Sequence, residues 1–317
     1  MDVLDARIER ILRAAGRAPS VHNTQPWQVS VRGNHLTVRA DPSRQLRHSD
    51  PRGREMFISC GAFLFNARMA ARRESLTPIV TVLPDPDDPL LVAVLELGPG
   101  LDPDMDELEL AVAIARRVTA RSPFDDQPLD ADVLQAIQIA AHDEGAVLRL
   151  VQPSEPGRTE VMSLVRRAEA LAAEDPTARD EERAWTDVAD DRRDGIPREL
   201  LGPWSSDDKA PVRRFLASAD NAEFEHRSTM AVLLTDEDAP RDWIAAGQAL
   251  ERLLLVATTY FVRASFATTV LENPTTRHDL RRALSLDASP QMLMRLGYGT
   301  SPRHTLRRSV GGSPTTV

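Results

Sequence analysis

Apolar positions along this chain change period in a set order, and the order occurs twice. Over residues 4–15, Leu4, Ile8, Ile11, Leu12 and Ala15 recur at helical spacing and place one apolar stripe on a first helix. A polar segment follows. Trp27, Val29 and Val31 then alternate with polar residues, Gly33-Asn34 supplies a turn, and Leu36 and Val38 alternate again, which is the pattern of a β-hairpin. Residues 57–72, apolar around Phe57, Ile58, Phe63, Leu64 and Phe65, predict a second helix, with strands at about 78–83 and 90–97.

From about residue 105 the order recurs. Val133, Leu134, Ile137, Ala140 and Ala141 answer the first helix, and residues 146–151 answer the strand that begins at Trp27. Ala246-Gly247-x-x-Leu250 with Ala257 answers Cys60-Gly61-x-x-Leu64 with Ala71, and residues 292–296 answer 91–97. Such a duplication predicts an α+β fold, two copies of a helix-flanked, mostly antiparallel sheet, over residues 1–103 and 104–317. Because one chain supplies both copies, a monomer that is internally a pseudo-dimer is expected.

The copies differ in length. Ala18 aligns with Ala140 at an offset of 122, and Gly61 with Gly247 at an offset of 186, so the second copy carries about 64 extra residues, placed at about 155–222. This stretch is rich in Asp, Glu, Arg and Pro, yet it holds Trp185, Ile196, Leu200, Leu201, Trp204 and Phe215, anchors that a linker does not have. It reads as a folded excursion packed on the body, either a lid or a surface decoration.

Composition narrows the function. With 317 residues and 42% hydrophobic content the chain can build a sizeable core. A net charge of −9 argues against nucleic acid or an anionic membrane as partner, so an anionic ligand has to be held by local arginines. Lys209 is the only lysine, so arginines carry a functional reading only where they cluster beside glycine, proline or hydroxyl residues. The single cysteine, Cys60, leaves no intramolecular disulfide or Cys-based metal site and fits a reducing cytoplasm. Residues 1–13 are charged and amphipathic, so no signal peptide is expected. The longest apolar run, 253–262, is about ten residues against the roughly 18 of a membrane span, and reads as a buried helix. The seven histidines show no H-x-x-H or H-E-x-x-H spacing, so no metal site is expected.

Candidate chemistry lies in two segments. In Pro19-Ser20-Val21-His22-Asn23-Thr24-Gln25-Pro26-Trp27, two prolines restrict the backbone that carries Ser20, Asn23 and Gln25. The loop is either a helix end whose side chains bond only their neighbours or a surface that presents polar groups to a ligand. The other segment is Arg116-Arg117-Val118-Thr119-Ala120-Arg121. Arginine forks and a hydroxyl suit a phosphate dianion, while Ser20, Asn23 and Gln25 supply neutral donors and acceptors.

Together these segments resemble the FMN-dependent nitroreductase family, and the duplicated form with an insertion is similar to its Acg group. The resemblance covers nearly the whole chain. It implies a nitroreductase-like fold and an FMN site built from two subunits, or here from two repeats. One repeat offers Pro19, Ser20, Asn23 and Gln25; the other offers Arg117, Thr119 and Arg121, flanked by Arg116, and a C-terminal Arg303, with Arg307 and Arg308 as weaker candidates. Residues 264–267, taken as a helix end, are expected to bury the ring.

The halves are unequal in these motifs. The first keeps the polar loop without the arginine segment, and the second keeps the arginines but has Asp143 and Glu144 where the loop belongs, which repel a flavin. One FMN site is therefore complete and one erased. The implied chemistry is hydride transfer from NAD(P)H through FMN to a nitroaromatic or quinone, with no catalytic side chain required. The alternative is a protein that sequesters FMN under the lid with little turnover. Cys60 reads as a packing thiol and His22 as either a supporting contact of the site or a solvated loop residue. Residues 41–44 and 50–53 read as turn and cap chemistry, with their arginines on the surface. The acidic run 102–109 reads as compensation of a helix dipole.

Overall fold

The computed structural model describes residues 3–155, 157–205, 210–218, 220–226 and 228–310. Pro156, residues 206–209 and Ala219, all within the expected insertion, lie outside the described residues, and Lys209 is among them.

The first repeat runs α1 (Val3–Ala15), β1 (Trp27–Arg32), β2 (His35–Ala40), α2 (Arg54–Arg73), β3 (Leu76–Val82) and β4 (Leu91–Pro99). Its sheet is antiparallel throughout, in the order β1-β2-β4-β3. After α3 (Met105–Arg116) the second repeat runs α4 (Ala131–His142) and β5 (Val147–Val151). The inserted α5 (Gly157–Glu174), α6 (Pro176–Thr186), β6 (Trp204–Ser205) and β7 (Asn221–Ala222) follow. The repeat resumes with β8 (Thr229–Thr235), α7 (Pro240–Thr259), β9 (Arg263–Phe266), α8 (Thr269–Glu272), α9 (Pro274–Ala283) and β10 (Ser289–Gly297). Its sheet, β5-β8-β10-β9, has the topology of the first.

Patterning explains the one difference between the sheets. β1 and β3 alternate buried and open positions, as a sheet with one wet face should, whereas every residue of β8 is buried. The extra helices are the cause. One apolar cluster joins the α7 side of the second sheet to the first repeat, and a separate one packs α5, α8 and α9 on the other side.

The repeats meet along α2 and α7. A Cβ on Gly247 would lie 2.0 Å from the Ile58 carbonyl oxygen, and one on Gly61 would lie 2.2 Å from the Ile244 carbonyl oxygen. Only glycine permits backbones this close. The contact is reciprocal between residues that the 186-residue offset equates, Gly61 with Gly247 and Ile58 with Ile244, which is how a two-fold interface behaves. The main core runs without a break from Ile8 of α1 to Leu296 of β10, so the repeats share one interior.

One element differs from expectation. Residues 264–267 are no helix end: Phe261 turns the chain at a φ of 60°, and 263–266 form β9, paired to β10 through Ala264 and Leu296. Among the described residues no helix is long and apolar enough to cross a membrane.

Candidate functional site

The loop between α1 and β1 is held in a conformation that its residues seldom adopt. His22, Asn23 and Gln25 have φ values of 45°, 58° and 51°, in the left-handed region that non-glycine residues avoid. Neighbouring groups fix part of it: Gln25 N donates to Ser20 Oγ at 3.0 Å, and Arg44 Nε donates to the Thr24 carbonyl at 2.6 Å. The rest comes from far along the chain. Asn23 Nδ2 donates to the carbonyls of Gly195 (2.8 Å) and Leu306 (3.1 Å), and its Oδ1 accepts from Arg307. Gln25 Nε2 donates to the Arg193 carbonyl, and its Oε1 accepts from Arg308 N. A purely local turn is thereby ruled out. Arg44 is a support of this loop, paired also to Asp194, and not the surface residue expected.

The arginine segment is placed by α3, whose N-terminus is closed by a capping box of Asp104 and Glu107. Past Arg117 the chain is extended, and Ala120 N donates to the Ala264 carbonyl of β9 at 2.9 Å. This brings Arg117, Thr119 and Arg121 against Pro19, Ser20 and Asn23. Arg303, His304, Thr305 and Arg307 from the C-terminal tail complete one small recess.

Cationic charge dominates this recess. Arg121 is pushed down to about 10 and Arg307 to about 9, by burial first and then by neighbouring arginines, Arg117 above all. Among the described residues the Nε atoms of Arg117 and Arg307 are buried without a hydrogen-bond partner. Glu199 pairs with Arg303 at its exposed side, 3.1 Å away, and Glu251 lies buried behind Arg117 at 3.5 Å.

Ser20, Thr119 and Arg121 also line a second, mainly apolar cavity. Its walls are Ile58 of α2, Leu250 of α7, Phe266 of β9, Met292 of β10 and, from the insertion, Ile196, Leu201, Val212 and Phe215. Three ionisable residues join them. His22, edge-on to Phe215 at 5.8 Å, is buried and held well below its ordinary value, so it is a neutral wall residue and not a solvated one. Glu55 is pushed up to about 8 by burial, against the pull of Arg54. Arg213 is balanced by Glu272 at 2.5 Å. Cys60 packs in the core and donates to the Pro26 carbonyl.

Two expected residues lie outside this arrangement. Arg116 is exposed and stacks over Phe261 at 5.3 Å, because successive residues of a helix point about 100° apart and Arg117 takes the inward position. Gln25 is buried beneath the loop with its amide spent on the insertion and the tail. Asn23 borders the recess, but its amide is committed in the same way. Arg17 and Glu251 were missed. The Arg17 carbonyl accepts from Arg117 Nη2 at 3.0 Å while its side chain binds the end of α3. Its signal was present, since Gly16-Arg17-Ala18-Pro19 puts an arginine beside glycine and proline. At the pseudo-symmetric position, Glu144 and Asp143 are taken up by Arg68 and Arg252.

The arrangement suits a phosphate monoester attached to a largely apolar group. A Mycobacterium tuberculosis protein with the provisional name NAD(P)H nitroreductase acg is 31% identical over 316 residues, covering 96% of this chain and 93% of its own. A provisionally named nitroreductase of Anabaena variabilis, known as a crystal structure, superposes over 93% of this chain and 88% of its own with a TM-score of 0.58 at 12% identity. A Desulfitobacterium hafniense nitroreductase solved with bound FMN matches 66% of this chain and 97% of its own, with a TM-score of 0.42 and 16% identity. No family model matches the chain.

Proposed function

Because the chain belongs to the nitroreductase family, we propose that it is a flavoprotein that binds one FMN in a single composite site and acts as an NAD(P)H-dependent oxidoreductase on nitro or quinone-type acceptors. The observation that carries this reading is the convergence of Arg117, Arg121, Arg303 and Arg307 with Ser20 and Thr119 at one end of a mainly apolar cavity. These residues fit the cofactor. A dianion in the recess relieves the mutual repulsion that depresses Arg121 and Arg307. Apolar walls suit a tricyclic ring, and Ser20, which borders both compartments, lies where a ribityl chain connects them.

When bound, FMN supplies two-electron redox chemistry, accepting hydride from NAD(P)H and passing it to the acceptor. The chain's own residues bind and orient. Arg117, Arg121 and Arg307 would neutralise the phosphate, Thr119 and Ser20 would add hydroxyl donors, and Ile58, Leu250 and Phe215 would keep water from the ring.

A second reading, retention of FMN with little turnover, is favoured by one observation. The insertion supplies Ile196, Leu201, Val212 and Phe215 as a wall of the cavity and is tied to the loop through Asn23, Gln25 and Arg44. These contacts support reading it as a lid. Anaerobic addition of NADH or NADPH to the yellow protein separates the two. Rapid bleaching is expected of the oxidoreductase; bleaching by dithionite alone supports retention. In the second case Leu201→Ala with Phe215→Ala opens the wall and is expected to raise nucleotide-driven bleaching at least tenfold. A colourless protein that cannot be reconstituted with FMN overturns both.

A further inference from the structure

Behind the arginine recess lies Glu251 of α7, wholly enclosed. Arg117 Nε is 3.5 Å away, and among the described residues neither carboxylate oxygen has a hydrogen-bond partner of normal geometry. From α2 the fully buried Asn66 faces it, close enough for its amide to help hold the carboxylate ionised but outside normal hydrogen-bond geometry. The charges around Glu251 come from the segment after α3, as Arg117, and from the tail, as Arg307, with Arg17 and Arg121 bearing on that pair. Toward α4 the neighbouring Arg252 is occupied by Asp143 and Glu144.

Glu251 is thus a carboxylate enclosed against the arginines of the recess. A phosphate dianion brought onto those arginines shares the charge that keeps Glu251 ionised and adds repulsion. A carboxylate in a dry site without hydrogen bonds yields by taking up a proton. We propose that Glu251 is a proton-linked counterion of the phosphate recess: ionised against Arg117 and Arg307 in the free protein, protonated and donating to the Asn66 amide oxygen once a phosphate monoester is bound. The inference rests on the FMN reading and concerns how tightly that site holds its ligand as pH changes. One proton enters from solvent for each phosphate bound.

The pH window follows. Burial pushes Glu251 up to about 7, against the pull of Arg117, Asn66 and Arg307. Above that pH the free protein has to gain a proton on binding, so affinity falls with rising pH, toward about tenfold per unit. The second ionisation of a phosphate monoester lies near 6 and has the opposite sign. His304 and Arg307, which line the recess and are both lowered, gain protons on binding with the same sign, but Arg307 titrates at about 9 and both remain in Glu251→Gln, so the variant separates their uptake from that of Glu251.

The test is calorimetric titration of the flavin-free full chain with FMN and with inorganic phosphate at pH 6.5 and 8.0, in buffers of different ionisation enthalpy. Wild type is expected to take up close to one proton per ligand at pH 8.0. Glu251→Gln is expected to take up none, to bind about tenfold more tightly than wild type at pH 8.0, and to match it within about twofold at pH 6.5. Binding at pH 8.0 without proton uptake in wild type overturns the proposal, a result that needs no variant to fold. Weaker binding by Glu251→Gln at both pH values also overturns it and makes Glu251 a fixed prop for Arg117. If neither ligand binds at either pH, the FMN reading fails and this inference falls with it.

Discussion

Arg121 shows at the scale of one residue how the site sets stability against binding. It is half-buried, among the described residues donates only to the Leu200 carbonyl at a long 3.3 Å, and is depressed to about 10 by burial and by Arg117. Arg121→Met removes that burial cost and a strong phosphate ligand together. The flavin-free variant is expected to be as stable as wild type or about 1 kcal/mol more so in urea unfolding, while FMN affinity falls at least about 100-fold by fluorescence titration. Unchanged affinity would place the phosphate elsewhere. Buried carboxyls give a second residue-scale prediction. Glu251 and Glu169 are pushed to about 7 and Glu55 to about 8, chiefly by burial, so near neutral pH the folded chain binds protons that the unfolded chain has lost. Stability of the flavin-free protein should therefore fall between pH 6.5 and 8, by on the order of 2 kcal/mol. His22 and His304, both lowered, oppose this only below about 6.5, where the unfolded imidazoles gain protons that the folded ones refuse. Thermal unfolding across that window checks the sign. Residue types in the sequence singled out the two segments that the recess brings together, but direction along a helix was not legible in a run of adjacent arginines. Arg116 and Arg117 differ only in which way α3 turns them, and Asn23 and Gln25, equally polar, turned out to fasten the loop to chain more than 160 residues away. Glu251 could not be found at all, since a single acid inside an apolar helix gives no local signal of what it faces.

At the scale of elements, periodicity located α1, the first hairpin, α2, β3 and β4 and, in the second copy, α4, β5 and β10, because each has one face that meets the core, while β8, buried on both faces, drew no reading. It failed at β9, a four-residue strand following a long helix, where the turn depends on a left-handed Phe261 and not on glycine or proline. Sequence comparison between halves paired Gly61 with Gly247, and the structure supplies the reason for both: they let α2 and α7 meet backbone to backbone. Gly247→Ala forces a methyl to within 2.0 Å of the Ile58 carbonyl oxygen, so the helices must separate. A loss of about 3 kcal/mol in denaturant unfolding is expected, with flavin retention weakened because Ile58 and Leu250 wall the cavity from these same helices. A substitution tolerated within about 0.5 kcal/mol would mean that the packing between repeats is looser than described.

The scale of the whole molecule decides whether the duplication is only historical or still mechanical. A single core crosses the boundary between repeats, and the two parts of the recess lie on opposite sides of it: Pro19, Ser20 and Asn23 on the first repeat, Arg117, Thr119, Arg121 and Arg307 on the second. Neither piece holds both parts of the recess, and neither can cover its half of the α2–α7 contact alone. Residues 1–103 produced by themselves should be insoluble or unfolded, exposing Phe57, Ile58, Phe63 and Leu64, all buried in the full chain. Co-produced as separate chains, 1–103 and 104–317 should associate one to one, because a two-fold interface does not need the covalent link that passes through residues 103 and 104. The intact chain, by the same reasoning, is expected to remain a monomer near its own mass of 35.0 kDa in light scattering, its dimer-like contact already satisfied internally. Flavin fluorescence quenching then tests site and architecture in one experiment: binding is expected only when both pieces are present, at about one FMN per pair. Binding by 104–317 alone would show that the polar loop is dispensable, and two FMN per pair would show that the position held by Asp143 and Glu144 is not erased.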